Sequence, residues 1–306
     1  WDVSSVEVMS FMFSSASSFN QDIGGWDVSS VEVMSFMFSS ASSFNQDLSA
    51  WDVSNVTIMT NMFLNATLST ENYDDMLIGW DAQNLQDDVT FHGGNSVYCN
   101  GETARNNMIA SNNWTITDGG IDCPSFYFIT RWETNVISTS ITIPTFSGET
   151  YNYEVDWDND GVFDNTEVTG NITHDYGGAG THTVVIKGVF PRIYFNDGGD
   201  KEKLFYIDQW GTQQWTSMEG AFFGCSNLEI SATDVPDLSN ATSMSAMFRG
   251  ASTLNSSNLS NWDTGTITDM SRLFWEAIAF NQSINSWETS SVTNMNSMFL
   301  NASSFN

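Results

Sequence analysis

The densest chemistry in the chain lies between Asp156 and Glu167. Asp156-Trp157-Asp158-Asn159-Asp160-Gly161-Val162-Phe163-Asp164-Asn165-Thr166-Glu167 fits the pattern D-x-D-x-D-G-x5-E in full. Such a run spaces oxygen donors around a glycine that allows a sharp turn, which is what a hard cation requires. Calcium takes about six to eight oxygens. The expected ligands are the carboxylates of Asp156, Asp158, Asp160, Asp164 and Glu167, with the backbone carbonyl of Val162. The flanking residues read as strands, so the loop is expected between strands rather than in an EF-hand. The same residues also read as a solvated acidic hairpin turn closed by Asn159-Asp160-Gly161.

Other chemistry is sparse. The three histidines, His92, His174 and His182, lie in separate strand-like settings without ligand spacing to cysteine or carboxylate. Gly177-Gly178-Ala179-Gly180 lacks the lysine and helix of a phosphate loop. Paired carboxylates for glycoside chemistry need a separation that sequence does not reveal. No catalytic residue is expected, and the chain reads as a non-enzyme. Of three cysteines, Cys99 and Cys123 flank one short segment and are expected to pair in an oxidising compartment. Cys225 occupies the slot of Ala251, Ala277 and Ala302, so it is expected as a small buried residue.

The charge is lopsided: 8 Lys and Arg against 37 Asp and Glu, a formal net charge of −29. Such a field repels nucleic acid and anionic lipid and attracts cations. No run of apolar residues is long enough to span a bilayer, so membrane insertion is not expected. No signal peptide is visible, and a fragment of a longer protein is expected.

What must position these groups is a repeat. Residues 1–22, WDVSSVEVMSFMFSSASSFNQD, recur unchanged at 26–47, and a third copy opens at Trp51 as WDVSNVTIMTNMF. Met244, Met270 and Met295 head similar blocks 26 and 25 residues apart. A fixed period of this size predicts a solenoid whose copies stand only by stacking. Within a copy, Ser4 and Glu7 have capping-box spacing, and Val6, Met9, Met12, Phe13 and Ala16 fall at helical spacing. A helix, a turn and a short strand near Ile23 are expected in each.

Side chains at matched positions should form columns. Asn20, Asn45, Asn281 and Asn306 predict a ladder in which each amide bonds the backbone of the next copy. Asp2, Asp27 and Asp52 would either be bridged by cations or cap backbone amides. Trp26, Trp51, Trp262 and Trp287 are expected as stacked core residues rather than a sugar platform.

Between the arrays the pattern changes. Residues 71–80 and 103–112 read as helices, and Val89-Thr90-Phe91, Ser96-Val97-Tyr98 and Trp114-Thr115-Ile116 as short strands. From Ser125 to about Ile207 the apolar period becomes two, as in Phe126–Ile129, Ser140–Ile143, Tyr151–Val155 and Thr183–Ile186. Several such runs suggest an antiparallel sandwich.

WDVSNVTIMTNMF (51–63) and SWETSSVTNMNSMF (286–299), each leading into Ala and then Phe-Asn, resemble the BspA-like leucine-rich-repeat surface proteins of bacteria. Tyr151–Asp158, with Ile172–Tyr176 and Gly180–Val184, resembles a polycystic-kidney-disease (PKD)-type immunoglobulin-like domain, although an Asp-rich turn replaces that family's central glycine motif. The resemblance implies a secreted or surface-anchored protein, often adhesive and built of many modules, and it carries no ligand over.

The expected fold is therefore α+β repeat: two leucine-rich-repeat-like solenoid arrays separated by a disulfide-closed cap and an immunoglobulin-like β-sandwich. Its expected boundaries are a first solenoid at 1–70, its cap at 71–124, the PKD-like sandwich at 125–207 and a second solenoid at 208–306. The expected function is a structural and adhesive segment of a long bacterial cell-surface protein or filament, extracellular, with an unidentified glycan or protein ligand and further modules of the same chain as partners. The alternative is a dedicated carbohydrate- or protein-binding receptor module.

Overall fold

A computed structural model describes residues 1–306. The chain forms two compact units, Trp1–Cys123 and Pro124–Asn306.

In the first unit the repeat is not helical. Each copy is a succession of tight turns whose corners point inward. Within the first copy, N–H groups of Val6, Met12, Ser14, Ala16 and Phe19 donate to the carbonyls three residues earlier, at 2.9–3.3 Å. Between these, alternate amides turn to the next copy: Met9, Phe11, Phe13 and Ser15 donate to Val33, Ser35, Met37 and Ser39 at 2.7–3.0 Å. An amide committed to a neighbouring copy cannot join an i to i−4 ladder, which is why the helical spacing produces no helix. The geometry also demands left-handed backbone at two positions per copy: Phe11 and Ser15, Phe36 and Ser40, Asn61 and Asn65 all have φ of 57–62°. Such backbone costs a non-glycine residue roughly 1–2 kcal/mol. The bonds between copies offset it.

Single parallel bridges join Val8 to Val33 and Val33 to Ile58. Identical side chains meet as columns, with Phe13, Phe38 and Phe63 ring centroids 5.5 and 5.2 Å apart. The Asn20 amide oxygen accepts the Asn45 N–H at 2.9 Å, and that of Asn45 accepts from Ser69 at 2.8 Å, on the exposed edge. Asp2, Asp27 and Asp52 cap the amide and hydroxyl of Ser4, Ser29 and Ser54. Those bonds hold the Asp2 and Asp27 carboxyls below the usual carboxylate range. Ser4 is thus spent on Asp2 rather than on a helix terminus.

After Ala66 regular structure begins: helix α1 (Thr70–Asp81), strand β1 (Thr90–His92), helix α2 (Glu102–Asn112) and strand β2 (Thr115–Thr117), with β1 and β2 parallel. Ser69 caps α1 through its hydroxyl, and Tyr73, Met76, Leu77 and Trp80 are buried. Tyr98 forms only a single bridge, to Ile121. Trp51, Trp80 and Trp114 are buried and donate their indole N–H to Ile23, Leu48 and Gln86 carbonyls at 3.0, 3.1 and 2.8 Å. Trp26 is half-buried at the edge of that column. The Cys99–Cys123 disulfide closes the unit.

The second unit contains β3 (Phe128–Thr134), β4 (Ser140–Ile143), β5 (Asn152–Asp156), β6 (Asn165–Val168), β7 (Ile172–Asp175), β8 (Gly180–Val189), β9 (Leu204–Gln209) and β10 (Glu229–Ile230). Six of them form one sheet in the order β10-β9-β3-β8-β5-β6, and β4 pairs with β7 separately. β9 runs parallel to β10, while its pairing with β3 and the remaining pairs are antiparallel. From Met218 onward the coil-on-coil pattern returns. Phe222, Phe248, Phe274 and Phe299 stack at 5.6–5.8 Å, and Asn255 and Asn281 accept from Asn281 and Asn306. Trp262 and Trp287 are buried, and Cys225 is fully buried, which pushes its thiol up. Trp210 sits among Phe128, Trp215, Phe222 and Trp262, so sheet and turns share one core.

This corrects the expected fold class. The chain is sheet-rich with only two α-helices, both within 70–112, and its larger sheet is mixed. A leucine-rich-repeat solenoid needs a strand and a helix in every copy, and none of these copies contains an α-helix. An immunoglobulin-like sandwich confined to 125–207 is overturned too: the strand periodicity there is real, but its sheet extends through β9 to β10 at 229–230.

Candidate metal centre

Asp156 ends β5 and Asn165 begins β6, so the acidic run is the connection of an antiparallel pair. Trp157 anchors it. Its indole is buried, stacks on His174 at 5.1 Å and donates to the Asn165 side chain at 2.8 Å. Asn159 and Gly161 supply the left-handed turns, with φ of 58° and 87°. Around this anchor the chain folds back on Asp156, which is buried. Its carboxylate accepts the N–H groups of Asp158 (3.3 Å), Asn159 (2.7 Å) and Gly161 (3.0 Å). Asp164 accepts the Trp157 N–H at 3.0 Å from across the turn.

The result gathers three of the expected ligands. One carboxylate oxygen each from Asp156, Asp158 and Asp164 lie within 4.8 Å of one another. Two ligands of one calcium, each at about 2.3–2.6 Å, are separated by no more than roughly 5 Å, so the triad fits that ion. The carboxylates of Asp160 and Glu167 are not part of this triad. Asp160 turns its carboxylate to the Val162 N–H at 2.8 Å, and Val162 is exposed at the tip. Glu167 sits exposed in β6 with φ of 56°, where the β5–β6 register shifts.

The electrostatics favour a cation. Partial desolvation and repulsion from Asp160, Asp164 and Asp156 raise the Asp158 carboxyl. Burial, reinforced by Asp158, Asp164 and Asp156, keeps the Tyr176 phenol protonated well above its ordinary range. That phenol donates to the Trp157 carbonyl at 2.8 Å and ties β7's end to the loop. Tyr176 also bridges the two histidines, 4.5 Å from His174 and 3.5 Å from His182 between ring centroids. His182 Nε2 lies 2.9 Å from the Thr134 hydroxyl, and burial lowers its pKa. Nothing in the sequence signals the aromatic ring between His174 and His182. His182 stacks face to face on Tyr176 and pairs with Thr134, while His174 stacks on Trp157 and meets Tyr176 edge-on, so the two form a packed wall rather than a ligand pair.

No helix is long and apolar enough to cross a membrane. No curated protein and no solved structure matches the chain. A family model described as "Mycoplasma protein of unknown function, DUF285" matches residues 1–98 and 195–306, the two repeat-bearing segments on either side of the β3–β8 region. The chain belongs to that family.

Proposed function

We propose that the chain is a non-enzymatic structural and adhesive segment of a long, multimodular bacterial cell-surface protein, exposed outside the cell and stiffened by calcium at Asp156, Asp158 and Asp164. The observation that carries this reading is that identical copies meet through identical contacts. Residues 1–22 and 26–47 share every residue, and the groups that join the first to the second also join the second to the third. Copies of this kind can be added without designing a new interface. The disulfide supports an oxidising compartment. The net charge of −29 supports solubility and argues against nucleic acid as a partner. Its partners are an extracellular glycan or protein and further modules of the same chain.

Electron microscopy of the full-length surface protein, together with binding of the purified chain to arrays of host glycans and matrix proteins, tests this reading. An extended multimodular molecule whose arrays capture the chain is expected. A compact single-module protein that binds nothing on either array would sink it. The calcium part is tested separately. Chelation is expected to lower the melting temperature and to speed proteolysis within 156–167, both reversed by calcium and abolished in Asp158→Asn. Identical melting and cleavage with and without chelator would remove calcium from the account.

A further inference from the structure

The chain holds only eight basic side chains. Six face a carboxylate: Arg105 with Asp118, Arg131 with Asp208, Lys187 with Glu154, Arg192 with Glu219, Lys201 with Asp197 and Lys203 with Asp200. Surrounded by 37 acids, a cation is expected to find one. Arg249 and Arg272 do not, and both lie against the same indole. The Arg249 guanidinium carbon is 4.0 Å from the Trp275 ring centroid and 4.6 Å from that of Phe223; Arg272 is 5.9 Å from Trp275.

The repeat builds this cluster. Phe223, Arg249 and Trp275 occupy one position of successive copies, 26 residues apart. Gly224 donates to the Arg249 carbonyl and Gly250 to the Trp275 carbonyl, each at 2.8 Å, which fixes the three in register. Arg272 is the left-handed residue three positions before Trp275, and its side chain is exposed. Arg249 is thus held by ring faces and not by hydrogen bonds. Its Nε is buried without an acceptor, and no protein group takes its outer N–H edge. A guanidinium gripped on its faces keeps its edge free to donate two parallel bonds to a carboxylate.

We propose that Arg249, Arg272 and Trp275 form a binding site for an acidic sugar, a uronic or sialic acid residue of a glycan. Its carboxylate is held by the two guanidinium groups, and its C–H surface packs against the part of the Trp275 indole that Arg249 leaves uncovered. Aromatic rings suit a sugar face, and paired guanidinium groups suit a planar carboxylate. A neutral sugar would leave both cations unanswered. The exposed Glu276 follows Trp275 and forms no ion pair, so it opposes an anionic ligand and narrows the choice to one that both arginines hold.

Titration calorimetry of the whole chain with 3′-sialyllactose, tri-galacturonate, lactose and an acidic hexapeptide tests the site. Either acidic sugar is expected to bind at least about tenfold more tightly than lactose and the peptide, the least that one charge-assisted pair supplies. Arg272→Gln, at an exposed position where folding is not at risk, is expected to weaken that binding about tenfold with an unchanged melting temperature, and Glu276→Gln to strengthen it. Arg249→Gln should abolish it. Absence of saturable binding to both acidic sugars, equal binding of lactose, preference for the peptide, or indifference to Arg272→Gln would each overturn the assignment. These outcomes leave the adhesive reading intact, because array capture by another face survives Arg272→Gln.

Discussion

Phe38→Ala is expected to destabilise the first unit by about 3–5 kcal/mol, the range for removing a fully buried phenylalanine. Phe38 has no exposed surface and lies between its own repeats: Phe13 is 5.5 Å away on one side and Phe63 5.2 Å on the other, with Phe44 at 4.1 Å and Trp51 at 6.3 Å. Neighbouring copies are locked at fixed spacing by the amides of Met34, Phe36, Phe38 and Ser40 reaching the next copy, so they cannot close over the cavity. Against a typical stability of about 5–15 kcal/mol the loss is large. The same change at Phe13, half-buried and stacked by a copy on one side only, is expected to lose roughly half as much. Denaturant unfolding read by hydrogen exchange in residues 1–123 measures both. A loss below about 1 kcal/mol at Phe38, or equal losses at the two positions, would show that the copies do not support one another.

Why the copies looked helical has a physical explanation. Val6, Met9, then Met12 or Phe13, and Ala16 are three or four residues apart, which suits one face of a helix and equally a series of three-residue turns with inward corners. Periodicity does not separate the two, because both bring i and i+3 to the same side. What decides is where the intervening amides go, and that depends on residues 24 positions away. The left-handed backbone at Phe36 and Ser40 was equally hidden, since neither residue type favours it. By contrast, 70–81 and 102–112 were readable as helices because their bonds are local: Ser69 caps the first, and left-handed Asn113 ends the second.

The candidate site divides along the same line. Asp156, Asp158 and Asp164 come together because a short hairpin with a buried tryptophan leaves the loop little freedom. Asp160 is only two residues from Val162 and takes its amide instead, a local bond that competes with any shared ion. Glu167 follows the strand register, which the loop pattern does not encode. The disulfide was legible from spacing alone. The Arg249 cluster was not, because its members are 26 residues apart and none belongs to a known motif.

Asp74→Ala is expected to cost roughly 3–5 kcal/mol, as for a buried charge network that loses its central partner. Asp74 lies in α1 with 4% of its surface exposed and no cation beside it. Its carboxylate instead accepts three backbone amides: Cys99 at 2.9 Å, Asn100 at 2.9 Å and Gly101 at 2.8 Å. These amides lead directly into α2, whose N-cap residue Gly101 has no side chain to cap it. A negative charge at that end also meets the favourable end of the helix dipole. Gly101 is required for the approach, since a Cβ there would lie 2.8 Å from an Asp74 oxygen. Alanine at 74 would strand three buried donors at once and free Cys99, so reduction of the Cys99–Cys123 disulfide by dithiothreitol should quicken as stability falls. Asp74→Asn keeps an oxygen for Cys99 and Gly101 but presents an N–H to Asn100. Its loss is expected to be smaller, about 1–2 kcal/mol. Stability and reduction rate together identify the cause: if Asp74→Ala loses stability while reduction stays slow, the carboxylate does not hold the α2 entry, and its burial answers only to packing within α1.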